Sequence, residues 1–146
     1  MVYLGADHAG FELKESIKSH LEEKGIKYLD LGTDSLKSVD YPDYALKVAQ
    51  KIKEGNEEDF GVLFCGTGIG MAIAANKIDG IRAAVVHDEY TAEVAKKHNK
   101  ANIIALGGRT ITPTEAIRYL DSFMSSKYEG GRHENRISKI DSMEKV

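Results

Sequence analysis

The chain has one cysteine, Cys65, and it opens the run Cys65-Gly66-Thr67-Gly68-Ile69-Gly70. A thiolate is nucleophilic and basic. A glycine loop entering a helix presents backbone N–H groups suited to a phosphate or a developing oxyanion. Each part also has a plainer reading, the cysteine as inert core and the glycines as a tight strand-to-helix turn. The spacing Gly66-x-Gly68-x-Gly70 departs from the dinucleotide fingerprint, and Val86 leads into His87 where that fingerprint requires an acidic residue. A Walker loop is excluded too, since Thr67 stands in place of its lysine.

Three further groups could join such a loop. Asp7-His8, just before Ala9-Gly10, would face a ligand crevice at the end of a first strand, or would cap a helix beside a surface histidine. His98-Asn99 closes a helical segment, where a histidine can simply complement the helix dipole. Arg132 and Arg136 are four residues apart, hence on one helix face, where two guanidinium groups suit a phosphate dianion or form a solvated basic face. Gly130-Gly131 and His133 flank the first arginine and favour a placed site. His20 reads as a surface residue, and His87, at a strand end, has no assigned role. No H-E-x-x-H or paired-cysteine spacing is present, so no metal is expected.

The elements that position these residues follow from hydrophobic patterning. Val2–Leu4, Lys27–Leu31, Val62–Phe64, Ala83–Val86 and Ile103–Leu106 read as short strands, four of them without polar alternation, as for strands covered on both faces. Leu13, Ile17 and Leu21 form one apolar helical stripe, and Tyr44, Val48 and Ile52 another. Asp88 caps a later helix, Thr112-Pro113-Thr114-Glu115 joins a capping box to a first-turn proline, and Gly25 ends the first helix. Strand–helix alternation with short connections predicts an α/β fold: a single-domain, Rossmann-like three-layer sandwich on a five-stranded parallel sheet. Residues 128–146 read as a C-terminal helical arm with sparse apolar positions at Ile137, Ile140 and Met143.

Composition narrows the function. The 146 residues carry 20 basic and 23 acidic side chains, net −3, scattered along the chain, which argues against nucleic acid. No apolar run approaches the roughly 20 residues of a membrane span, and Met1–Asp7 reaches a charge too soon for a signal peptide. One cysteine cannot make an internal disulfide and fits a reducing, cytoplasmic setting. Of the 14 glycines against 2 prolines, many follow the predicted strands, where a parallel sheet lines its ligand crevice.

The ordered set Asp7-His8-Ala9-Gly10-Phe11, Asp40-Tyr41-Pro42, Cys65–Gly70, Ala75-Asn76-Lys77, His98-Asn99 and Tyr128–His133 closely resembles the type B ribose-5-phosphate isomerases of the ribose/galactose isomerase family, from near Val2 to about Ile140. The resemblance implies interconversion of ribose 5-phosphate and ribulose 5-phosphate through an enediolate, in the non-oxidative pentose phosphate pathway, without metal or organic cofactor. It makes Cys65 the base, Thr67 its assistant and His98 the group that opens the sugar ring. Backbone N–H groups of Gly66, Thr67, Gly68, Ile69 and Gly70 would hold the enediolate oxygen. Asp7, Asn99 and Tyr41 would bind sugar hydroxyls, His8, Arg132 and Arg136 the phosphate, and Arg109 a further part of the substrate. The family implies a homodimer or homotetramer with sites shared between subunits, which gives the arm a neighbour to pack on. Some relatives replace the cysteine by a later glutamate, and Met71 stands at that place here. The competing readings are a hexose-phosphate isomerase acting on allose or galactose 6-phosphate, and a non-catalytic phosphate- or nucleotide-binding module.

Overall fold

A computed structural model describes residues 1–144. Five strands, β1 (Val2–Ala6), β2 (Tyr28–Asp30), β3 (Phe60–Cys65), β4 (Ala83–Val85) and β5 (Ile103–Gly107), alternate with α1 (Phe11–Glu23), α2 (Tyr41–Glu54), α3 (Ile69–Ala75), α4 (Glu89–Lys97) and α5 (Pro113–Ser125), and α6 (Arg132–Asp141) ends the order. The strands form one sheet in the order β2-β1-β3-β5-β4, every pairing parallel. The expected α/β sandwich is therefore present, with each strand within two residues of its predicted bounds at either end.

Alternation along the strands splits the core into two layers. Leu4, Val62, Phe64, Ile104 and Leu106 face α1, α4 and α5, whereas Leu63, Cys65, Ile103 and Ala105 face α2 and α3. Close approach on the second face depends on small residues: a Cβ on Gly5 would stand 2.8 Å from Val48 Cγ2 and 3.1 Å from the Tyr44 carbonyl. The predicted caps form as well. Asp88 accepts from the Thr91 amide and Thr112 from the Glu115 amide, each in a reciprocal capping box, and such a cap contributes about 1 kcal/mol. Gly25 ends α1 at φ +67°, the left-handed turn that glycine adopts without strain.

His20 is not the surface residue its charged helix suggests. Its Nε2 lies 2.8 Å from Asp121 Oδ1, so α1 and α5 are tied by a pair 101 residues apart in sequence. Lys14 is also buried, its Nζ held by Asp30 at the end of β2 and by Glu15, with Lys18 on the same carboxylate. Burial works to raise the Asp30 pKa, but hydrogen bonds from Lys14, the Gly32 amide and Lys18 hold it below the ordinary carboxylate value. No helix among the described residues is long and apolar enough to cross a membrane.

Candidate active site

Sheet order locates the crevice. The connections out of β1 and β3 diverge to opposite sides of the sheet, so a switch point lies between these two adjacent strands at their carboxyl ends. Asp7-His8 leaves β1 there, and Cys65 is the last residue of β3. The two loops interlock through glycine. Asp7 N–H donates to the Phe64 carbonyl, and a Cβ on Gly10 would come within 2.3 Å of that carbonyl. The loop after β5 closes the third side: the Arg109 amide donates to the Gly66 carbonyl at 2.9 Å, and the Arg109 side chain lies over Gly66.

Within this crevice the Cys65 sulfur accepts from the Gly68 amide at 3.1 Å. Gly68 holds φ +83°, and a Cβ there would sit 3.1 Å from the Ala105 carbonyl, so the turn that aims this amide requires glycine. Thr67 is exposed, and its Oγ1 accepts from the Ile69 amide at 3.2 Å. The Tyr41 ring covers Gly70, where a Cβ would be 2.7 Å from it. Met71, by contrast, is fully buried among Leu63 and Ala75. Cys65 is therefore the loop's candidate base.

Asp7 is buried, and one of its oxygens, Oδ1, takes the amides of both Ala9 and Gly10. It builds the turn into α1, while Gly10 itself holds the cap position. His8 is fixed by the Val39 amide, which donates to its Nδ1 at 3.2 Å, so the neutral ring carries its proton on Nε2. Lys14 and Asp30 anchor the start of the same β2–α2 loop, through the Gly32 amide on Asp30 Oδ1.

The second half of the predicted set lies elsewhere. His98 caps the carboxyl end of α4, and a helix that follows a parallel strand runs back to the strands' amino-terminal edge. Asn99 accordingly lines a cleft of about 520 Å³ with Ala83, the first residue of β4, and Ile140 of α6. Arg132 and Arg136 stand one turn apart on α6, both exposed, without a carboxylate partner among the described residues. The His98 and His133 rings stack with centroids 4.3 Å apart. Burial, then the charges of His98, Arg132 and Arg136, lower the His133 pKa against the opposing pull of Glu129. The five residues of β1, in register with β3 from Phe60 to Phe64, at about 3.3 Å each separate this edge from Cys65 by roughly 16 Å. One chain thus groups Asp7, His8, Tyr41, the Cys65–Gly70 loop and Arg109 at one end of the sheet, and His98, Asn99, Arg132 and Arg136 at the other. His133, which flanks Arg132 in the sequence, is buried beside His98, and Glu129 is a neighbour of both that no residue-type signal marks.

Fold and site define a Rossmann-like α/β protein of the kind that carries small-ligand chemistry at the carboxyl edge of a parallel sheet. A ribose/galactose isomerase profile matches residues 2–140. Ribose-5-phosphate isomerase B of Escherichia coli is 43% identical over 143 residues, 98% of this chain and 95% of that one. A Thermotoga maritima ribose 5-phosphate isomerase structure superposes with a TM-score of 0.94 at 53% identity, covering 97% of each chain. The Mycoplasma genitalium ribose-5-phosphate isomerase B, solved with bound ribulose-5-phosphate, gives a TM-score of 0.93 at 42% identity, covering 97% of this chain and 93% of that one. The chain belongs to the ribose/galactose isomerase family.

Proposed function

We propose that the protein interconverts ribose 5-phosphate and ribulose 5-phosphate by proton transfer through an enediolate. The observation that carries the reading is a thiol at the switch-point crevice, beside a glycine loop, on a fold whose solved relative holds ribulose-5-phosphate. A C–H beside a carbonyl is a weak acid, so the reaction needs a base, a group that holds the enediolate and an anchor remote from both. Cys65 removes the C2 proton of the open-chain aldose and returns it to C1. The hydroxyl proton of O2 passes to O1, assisted by Thr67. Amides of the Gly66–Gly70 loop hold the enediolate oxygen. His98 opens the furanose by passing a proton to the ring oxygen as the C1–O4 bond breaks, while the anomeric hydroxyl gives its proton up to water and becomes the aldehyde. Asp7, Tyr41 and Asn99 take the sugar hydroxyls, His8, Arg132 and Arg136 hold the phosphate, and Arg109, lying over Gly66, takes a further part of the substrate.

These roles require two chains, because the thiol and the ring-opening histidine lie at opposite edges of one sheet. A homodimer, or a tetramer built from it, supplies His98, Asn99, Arg132 and Arg136 from the neighbouring copy. Support for that face comes from α3, which leaves Ile69 54% and Ile73 60% exposed directly after the glycine loop; these residues are one turn apart and form an apolar strip beside the crevice. The arm's exposed Ile140 and Met143 supply further apolar surface for the same partner. A single thiol and a soluble sugar phosphate support a reducing, cytoplasmic setting.

The family also spans galactose isomerases, so the sugar itself is the variable to test. Ketose formation from ribose 5-phosphate, allose 6-phosphate and galactose 6-phosphate is measured side by side. The reading predicts the highest kcat/KM on the pentose. A higher value on either hexose phosphate would overturn the assignment of substrate.

A further inference from the structure

Three side chains meet at the edge of the sheet that carries His98. Glu129 sets Oε1 3.5 Å from His98 Nε2 and 3.6 Å from His133 Nε2. All three ligand-capable atoms lie within 4.8 Å of one another. The arrangement is built by the backbone. The Glu129 amide donates to the Lys97 carbonyl, next to His98, and the His133 amide to the Gly130 carbonyl. Between them Gly130 and Gly131 hold φ +66° and +56°, the left-handed turn that brings Glu129 back beside the first turn of α6. His133 is 8% exposed, so one donor is fixed by packing.

Zinc takes imidazole nitrogen at about 2.0–2.1 Å and carboxylate oxygen at about 2.0–2.2 Å, so neighbouring donors on a tetrahedral shell stand roughly 3.3–3.4 Å apart. Both nitrogen–oxygen edges of the triangle are already close to that length. The rings now stack 13° from parallel, so a cation shared by both nitrogens requires the rings to turn about χ2. His98 at a helix end and the half-exposed Glu129 leave room for that turn.

We propose that His98, Glu129 and His133 form a binding site for a zinc-class transition-metal cation, and that filling it inhibits the isomerase. Two imidazoles select a borderline metal over magnesium or calcium, which prefer all-oxygen shells. The flanking Arg132 and Arg136 disfavour a cation held by charge alone. Binding stands on this geometry. The inhibition rests on the role proposed for His98, because a metal held on its Nε2 fixes the imidazole that would otherwise pass a proton to the sugar.

The test titrates tag-free, chelator-stripped protein with zinc chloride by calorimetry, with isomerase rates followed in parallel. The variants are Glu129→Gln, His133→Gln and Cys65→Ser. One zinc per chain is expected, with affinity falling at least about tenfold in Glu129→Gln and His133→Gln, a loss that even outer-shell changes produce. Cys65→Ser should bind as the unmodified chain does. Because Glu129 is exposed, its variant stays informative if His133→Gln fails to fold. Unchanged affinity in Glu129→Gln, or loss of binding in Cys65→Ser, would overturn the site. Full turnover at zinc saturation would overturn the inhibition, whereas absent turnover in metal-free protein would instead strike the proposed function.

Discussion

The amide of Gly68 donates to the sulfur of Cys65 across 3.1 Å, and the left-handed backbone of Gly68 is what turns it there. Loop and thiol are therefore one unit, in which the residue proposed as base is oriented by the same turn that presents amides to an oxyanion. His98, the residue proposed to open the ring, closes a helix at the other edge of the sheet. That separation is the basis of the first prediction.

Cys65→Ala and His98→Asn each lose turnover alone and complement when their subunits exchange. In a two-fold dimer with shared sites, the mixed dimer has one site with both lesions and one with neither. Random exchange at equal amounts makes half of the dimers mixed, so about a quarter of unmodified specific activity returns. Subunit exchange confirmed by native mass spectrometry, without recovered turnover, would show that each chain works alone.

Arg132 and Arg136 are exposed and lack carboxylate partners among the described residues, so their guanidinium groups are available to an anion. Arg132→Ala should raise KM for ribose 5-phosphate about 10- to 100-fold, the cost of a charge-assisted hydrogen bond of about 1.5–3 kcal/mol. KM for free ribose should stay nearly constant. Steady-state kinetics on the two sugars checks it, and equal effects on both would remove the phosphate role.

Acid stability should depend on Asp30. Its folded pKa is lowered, by the Lys14, Gly32 and Lys18 hydrogen bonds outweighing burial. The pairing therefore contributes above the unfolded carboxyl value of about 3.9 and is lost as pH falls through the lower folded value. Urea midpoints from pH 6 down to about pH 3 should fall less steeply in Asp30→Asn than in the unmodified chain. Lys14→Met should cost roughly 3 kcal/mol at neutral pH, since it strips a buried partner from that carboxylate. Loss of the steep acid limb in neither variant would contradict the pairing.

Much of this arrangement is legible in the sequence. The bare apolar runs reveal strands covered on both faces, and Thr112-Pro113-Thr114-Glu115 reveals where α5 starts. The glycine loop marks the crevice because a close backbone approach has a local residue signature. Residue types alone group His98 with the thiol loop; the fold parts them within one chain, since a helix after a parallel strand returns to the opposite edge. Pairings distant in sequence leave no such signature. Nothing near Lys14 announces Asp30, 16 residues away, and nothing near His20 announces Asp121. The stack of His98 on His133 joins residues 35 apart through a turn whose course only the folded chain displays.

Conversion of ribose 5-phosphate by Cys65→Ala, with binding measured on the same protein, isolates the part the thiol plays. With Cys65 as the base, ribose 5-phosphate should still bind while kcat falls by about 10²–10⁴, the range of a lost general base. Turnover near that of the unmodified chain would contradict it, and would leave the glycine loop as a phosphate-binding turn with no part for the thiol.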